Sequence, residues 1–321
     1  MKGAEAKYIE VIGEVCMDVL MHYPNSVEVM GEKLWAEDIA ILPGGSAVFV
    51  AAALAHLGEP VRVCGSLGDD SEGEEILRVF KEINVDCGHM PILKGPSTTR
   101  SMVICDGAKK TFLGCSPMLP VIMPSIESLQ DTKLIYVAGY MLYKELWTDE
   151  SFEYFRKAHE LGIPIVIDGQ WTLSESFNRN PDNYASLFKT MPLCSVFFAA
   201  LKELHCLKRS DDRSVEAAQL LEMGLQTAVM KYGSQGAAAY TKDGVYSSKG
   251  YPVEVYDAVG SGDIMGAAYT YGFLSGWPTG QCIEFANVFA ALSLSRYRER
   301  KQFPSKETVL NIIKERGVNL A

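Results

Sequence analysis

Asp257, Gly260, Ser261, Gly262 and Asp263 sit together in the run Tyr256–Asp263, just before the apolar stretch IMGAAYTYGFL. Gly260 and Gly262 let the backbone turn without a Cβ penalty. In a loop of this kind, the amides of the turn and of the first helical turn point outward together. They form an anion site with the helix dipole behind it. A carboxylate at Asp263 is out of place beside an anion site unless it has a chemical role. The plainer alternative is an N-cap, worth ~1 kcal/mol.

Three further segments carry weaker signals. Pro43-Gly44-Gly45-Ser46 opens AVFVAAALAHLG, which is apolar on all sides and therefore a buried helix. The two glycines admit either a ligand or the tight packing of a neighbouring segment. In Gly65–Gly73, Asp70 or Ser71 caps the next helix. Lys231–Gly236 reads as a buried strand running into a glycine turn. The five histidines are far apart, with no HxH or HxxxH spacing, so a zinc site is not expected. No GxGxxG follows the first strand, and neither GxxxxGK[ST] nor GxSxG occurs.

The elements that must position these residues alternate. Strands are predicted at Tyr8–Ile12, Val61–Cys64, Leu134–Val137, Ile163–Ile167, Ser195–Phe198, Thr227–Lys231 and Ala237–Tyr240. Helices are predicted near Ser46–Leu57, Ser71–Ile83, Asp149–Leu161, Ser214–Met223, Ile264–Leu274, Gln281–Arg296 and Lys306–Arg316. This alternation predicts a mostly parallel sheet with helices on both faces. Ligands in such sheets bind beyond the carboxyl ends of the strands. Met21–Leu42 and Thr98–Leu113 break the rhythm, the latter as two strand-like runs around Asp106-Gly107. They are read as a small β flap that closes over a ligand.

Order and spacing make the chain resemble the ribokinase-like (PfkB) carbohydrate and nucleoside kinase family over nearly its whole length. GEVCMD is similar to the family's first-strand exit, and GGSAVFVAAALAHLG to its N-terminal signature. GDDSEG resembles GxDxxG, and DAVGSGD resembles the C-terminal signature D-T-x-G-A-G-D. The resemblance implies a three-layer α/β/α sandwich with a mostly parallel central sheet and a small β-sheet lid. It implies one domain over residues 1–321, with the lid formed by about 15–42 and 97–115.

The reaction it implies is transfer of a phosphoryl group from ATP to a hydroxyl of a small carbohydrate, with Mg2+ on the phosphates. By that resemblance Asp263 is the base, and Gly260, Ser261 and Gly262 are the anion hole. Asp18, Gly44, Gly45 and Phe49 face the substrate, and Asp257 lies near it or near a monovalent cation such as K+. Lys231, Gly233, Ser234, Gly236 and Asn287 border the nucleotide, with Ser293 a weaker candidate, and Glu203 lies near the metal.

Three positions depart from the family pattern. Phe49 stands where the signature has asparagine, turning a polar contact into an aromatic wall. Ala200-Leu201-Lys202-Glu203 replaces N-x-x-E, and Asp168-Gly169-Gln170-Trp171 replaces D-x-N. A fructokinase or 2-keto-3-deoxygluconate kinase is the first expectation. A nucleoside kinase of the same fold, or a kinase-like protein that binds a metabolite without turnover, are the alternatives.

The 321 residues carry a net charge of −10, which disfavours nucleic acid and anionic lipid as partners. The longest uncharged stretch, Ile39–Gly58, is broken by Pro43-Gly44-Gly45, and the charged N-terminus does not read as a signal peptide. Eight scattered cysteines without CxxC point to a reduced, cytoplasmic setting. The flap also offers a surface for a homodimer.

Overall fold

The computed structural model of the chain describes residues 7–23, 35–106, 109–114, 118–170, 184–200, 203, 214–295 and 303–317. The strands, in chain order, are β1 (Tyr8–Gly13), β2 (Cys16–His22), β3 (Asp38–Gly44), β4 (Val61–Cys64), β5 (Leu67–Gly68), β6 (Val85–Asp86), β7 (Ile92–Leu93) and β8 (Arg100–Asp106). They continue as β9 (Lys109–Gly114), β10 (Thr132–Ala138), β11 (Ile165–Asp168), β12 (Val196–Ala200), β13 (Thr227–Lys231), β14 (Gly236–Thr241) and β15 (Gly244–Lys249).

Nine of these strands form one sheet in the order β15-β14-β13-β12-β11-β10-β1-β4-β6. From β6 to β13 every pairing is parallel; β14 and β15 add an antiparallel edge. Side chains alternate between two cores, as a strand's period of two requires. Leu134, Tyr136 and Ala138 of β10 join a core with the helices Ser46–His56, Ser261–Leu274, Thr279–Leu294 and Lys306–Glu315. Ile135 and Val137 join the opposite core, with the helices Asp149–Glu160, Ala185–Thr190 and Ser214–Glu222. The result is the three-layer α/β/α arrangement expected from the alternation.

Local chemistry explains the differences from the sequence reading. The strand expected at Ile163 starts at Ile165 because Gly162, at φ 74°, ends the preceding helix and the Ile163 amide still donates to the Ala158 carbonyl. The polar edge strand β15 was not anticipated, nor was the short helix Ala185–Thr190. The penultimate strand pairing is antiparallel because β14 returns directly from a tight glycine turn after β13.

The two irregular segments meet in a separate four-stranded sheet, β3-β2-β8-β9. β8 and β9 form the hairpin expected around Asp106-Gly107, although residues 107 and 108 themselves lie outside the described residues. Cross-strand register puts Ile41, Val19, Met102 and Leu113 in one row. Ile39, Met21, Ile104 and Thr111 form the next row on the same face. This outer face is apolar and largely open, with Ile39, Ile41, Met102 and Leu113 exposed. Lys110 and Phe112 alternate to the other face.

Among the described residues, no helix is long and apolar enough to cross a membrane. Five of the six described free cysteines are buried.

Candidate active site

Gly260 adopts φ 73° and occupies the N-cap of the helix Ser261–Leu274. The helix therefore begins three residues earlier than its apolar pattern suggested, and Asp263 lies inside its first turn. Asp263 is thus not the N-cap of the alternative reading. The first amides of a helix lack intrahelical acceptors, so those of Ser261 and Gly262 face the cleft as donors. Ser261 N–H makes only a long 3.4 Å contact to the Ala258 carbonyl. A Cβ on Gly260 would fall 2.3 Å from the Phe49 ring, so the aromatic side chain is the floor on which the loop turns. Asp257 fixes the approach, accepting the Val259 N–H at 2.7 Å.

Asp263 is buried. Its Oδ1 accepts from Gln170 Nε2 at 2.5 Å, and Gln170 Oε1 accepts from the Ser46 hydroxyl at 2.7 Å. Gln170 holds φ 46°, a left-handed conformation that costs free energy in a non-glycine residue and is typical of functional sites. Behind it, fully buried Asp168 receives Lys231 Nζ on both oxygens, at 2.9 and 2.8 Å. Glu203 Oε2 accepts the Ala200 N–H at 2.6 Å.

Burial, and then the Asp168 charge, push the Asp263 carboxyl up to about 7, against the pull of Lys231, Gln170 and Lys110. Burial also raises Asp168 and Glu203, with Lys231 opposing both. Burial disfavours the Lys231 ammonium, but Asp168 and Glu203 outweigh it and hold that group above its ordinary value.

Two cavities meet here. One, of about 610 Å³, is lined by Glu14, Asp18, Phe49, Arg100 and Phe112 and by the whole Gly260–Asp263 loop. The other, of about 580 Å³, is lined by Ser234, Gly236, Pro252, Asn287 and the start of the same helix. Lys110, Lys231, Gly233, Ser261 and Gly262 border both. The glycine turn is therefore the junction between the two cavities, with the Asp263 carboxylate on one side.

The first cavity also holds a carboxylate pair. Burial, and then neighbouring Asp18, push Glu14 up to about 7, and a hydrogen bond from Tyr143 pulls it back. Gly44 underlies Asp18: a Cβ there would fall 2.1 Å from the carboxylate. Gly45, at φ 91°, backs onto the Glu14 carbonyl, with 2.5 Å left for a Cβ.

The structure brings together Asp18, Gly45, Phe49, Glu203, Lys231, Gly233 and Gly260–Asp263 in the first cavity. Ser234, Gly236 and Asn287 line the second. Gly44 and Asp257 support the site from behind rather than lining either volume. Asn287 spends its amide on β15, donating to Ser248 Oγ and the Lys249 carbonyl. Ser293 bonds to its own helix, at the Phe289 carbonyl, and lines neither cavity. Trp171 and Lys202 lie outside the described residues.

Sequence reasoning gave no role to Ser46, Gln170 or Lys110, and marked Glu14 and Asp168 only as residues at strand exits, where ligands bind. Asp168 and Gln170 stand where the family carries D-x-N, and Glu14 sits at the first strand exit. Both were readable cues. Lys110 had only its place in the hairpin as a signal. It crosses from the small sheet to donate to the Ala258 carbonyl at 2.8 Å. Burial lowers its ammonium, although Asp263 and Asp257 favour the charge.

A central sheet with a catalytic-type carboxylate at a helix N-terminus, a second sheet above it and two joined cavities define a small-molecule phosphotransferase. The pfkB family carbohydrate kinase pattern matches residues 6–306, and the chain belongs to that family. It is an ATP-dependent sugar kinase. The 5-dehydro-2-deoxygluconokinase of Clostridium perfringens is 26% identical over 286 residues, covering 85% of this chain and 84% of that protein. The ATP-dependent ribose-1-phosphate kinase of Halopiger xanaduensis is 27% identical over 278 residues, covering 85% and 87%. Among solved structures, Arabidopsis thaliana ribokinase with ribose and ATP has a TM-score of 0.75 at 18% identity, covering 96% of this chain and 99% of that one. Fructokinase with bound ATP from Xylella fastidiosa has a TM-score of 0.77 at 21% identity, covering 97% and 99%.

Proposed function

We propose that the chain phosphorylates a hydroxyl of a six-carbon keto sugar acid, of the kind named in its 5-dehydro-2-deoxygluconokinase relatives. The observation that carries this reading is the polarity of the 610 Å³ cavity. Glu14 and Asp18 supply one wall with acceptors for hydroxyls. Arg100, from the small sheet, supplies a cation for a carboxylate, one that it shares with Glu72. A neutral ketohexose would use the first wall and leave the second unmatched.

In this reading Asp263 takes the proton of the attacking hydroxyl. Its carboxyl, raised to about 7, is a stronger base than an ordinary aspartate and still ionises near neutrality. Gln170 aims Oδ1, and Ser46 holds Gln170 in turn. The amides of Ser261 and Gly262 face the transferring phosphoryl and stabilise its charge where it develops. Lys110 closes the junction from above and adds a cation on the same group. The nucleotide occupies the 580 Å³ cavity, with Asn287 shaping its wall through β15.

Mg2+ suits the donor set: the Glu203 carboxylate is partly buried, lines the first cavity and presents hard oxygen. When bound, the ion would neutralise phosphate charge that the buried carboxylates otherwise repel. A monovalent cation at Asp257 fits less well, because one of its oxygens is already committed to Val259, and no step is derived through it.

One kinase domain with the small sheet as its lid accounts for these placements. The open apolar rows of Ile39, Ile41, Met102 and Leu113 suit a second copy of the chain, making the protein a homodimer through the lid.

ADP release measured over 5-dehydro-2-deoxygluconate, 2-keto-3-deoxygluconate, fructose, ribose and a nucleoside tests the assignment. The acids should give the highest kcat/KM, and Arg100→Gln should narrow their lead over fructose. A parent that prefers fructose, or an acid-to-fructose ratio of kcat/KM unchanged in Arg100→Gln, would reject the sugar-acid reading.

A further inference from the structure

Away from both cavities, β1 carries a glutamate where its neighbours are apolar. Glu10 is fully buried. Its Oε2 lies 3.2 Å from Ser128 Oγ, 3.1 Å from Thr132 Oγ1 and 2.5 Å from Tyr154 Oη. Its Oε1 faces a different pair: the Cys64 thiol at 3.4 Å and His89 Nδ1 at 3.3 Å. The three atoms Oε1, Sγ and Nδ1 all lie within 4.8 Å of one another. None of these residues takes part in the proposed phosphoryl transfer, and none lines either cavity.

We propose that Glu10, Cys64 and His89 form a second metal site that takes a Zn2+ ion, with water in the fourth position. The donor set is one thiolate, one imidazole and one carboxylate, all ordinary zinc ligands. With Zn–S near 2.3 Å and Zn–N and Zn–O near 2.0 Å, tetrahedral angles place neighbouring ligands about 3.3–3.5 Å apart. The observed edges from Glu10 are 3.3 and 3.4 Å. As a hydrogen bond, the His89 contact is long, since charge-assisted N–H···O bonds run about 2.7–2.9 Å. The three hydroxyls on Oε2 leave Oε1 as the ligating oxygen and hold the carboxylate in place, as outer partners do at zinc sites.

Charge favours the same ion. Glu10 pairs in register with Arg62 on β4, but Arg62 is already engaged by both Asp86 and Asp131. Two carboxylates thus take up the one guanidinium, and a divalent ion would offset the charge of Glu10. His89 is about a third exposed, so the ion has a path from solvent. Once bound it would tie β1, β4 and the segment after β6 together at the edge of the large sheet.

The test uses untagged, chelator-washed full chain and Co2+ as the probe. One Co2+ per chain should bind with a thiolate-to-cobalt charge-transfer band, and Zn2+ should displace it. The proposed Mg2+ site offers only oxygen donors, so it gives no such band. Cys64→Ser should abolish the band, and His89→Ala, on a partly exposed segment, should weaken binding by at least tenfold. Cys87→Ser should leave it intact, because that thiol bonds to the Val85 carbonyl instead. Absence of the band in the parent, or its survival in Cys64→Ser, or its loss in Cys87→Ser, overturns the site.

Discussion

The two sheets of this protein solve opposite problems. The nine-stranded sheet is covered on both faces, and its carboxyl ends hold mostly buried charge at the floor of the cavities: Asp168, Lys231 and, against them, Asp263. The four-stranded sheet is covered on one face only; the other leaves Ile39, Ile41 and Met102 in solvent. Groups on the first are fixed by packing and by each other. Groups on the second, Lys110 above all, reach the site across a gap. In the proposed reading, chemistry that depends on a set pKa belongs with the large sheet, and selectivity and closure belong with the small one.

Substitutions can separate these two contributions. The largest effect is expected for Asp263→Asn, which should lower kcat by at least ~10² while sugar and nucleotide still bind. Steady-state ADP release and equilibrium titration measure the two halves of that statement. Gly260→Ala comes next. It forces a Cβ into the Phe49 ring at φ 73°, and activity should fall with the melting temperature. Phe49→Ala should lower stability by about 3–5 kcal/mol, judged from buried aromatic truncations, while leaving some turnover. Phe49→Asn should move the Michaelis constant of the sugar more than that of ATP; a change confined to ATP would contradict the placement of Phe49 at the substrate wall. From the small sheet, Lys110→Met should reduce kcat on the order of 10- to 100-fold, scaled from loss of a single transition-state donor. Lys110→Arg should restore part of that loss.

The smallest effects concern pH and assembly. Asp263 must be ionised to act, so kcat/KM should rise with pH and level off above about 7. Glu14 titrates in the same range, and Glu14→Gln should simplify the profile to one group. Stability runs the other way. Both folded carboxyls sit above their ordinary values, so their contribution is complete below the unfolded pKa and is lost as pH climbs through about 7. Thermal melts of parent and Asp263→Asn should therefore diverge as pH rises, with the variant the more stable. Ile41→Lys should yield a monomer in sedimentation, where the proposed pairing through the lid gives the parent a dimer, while changing kcat little.

The sequence made the large sheet readable because its strands are apolar runs between helices of clear period, and because Gly260 and Gly262 announce a special backbone. It made the small sheet readable in outline only. The parallel pairing of β2 with β8 joins segments some eighty residues apart, and no local pattern encodes that register. The same limit hid Lys110, whose role depends on which way one residue of a hairpin points. Gln170 was quoted as a departure from the family pattern, but only its three-dimensional link to Ser46 and Asp263 gives it a task.

That link has an engineering consequence. An amide is asymmetric, so with its nitrogen on Asp263 its oxygen must face Ser46, and neither end can be swapped alone. The helix that opens with the paired glycines and the helix that bears the base are wired through a single side chain. Any redesign of the sugar wall that touches Ser46 would consequently disturb Asp263, the proposed base, unless positions 46, 170 and 263 are changed as one unit.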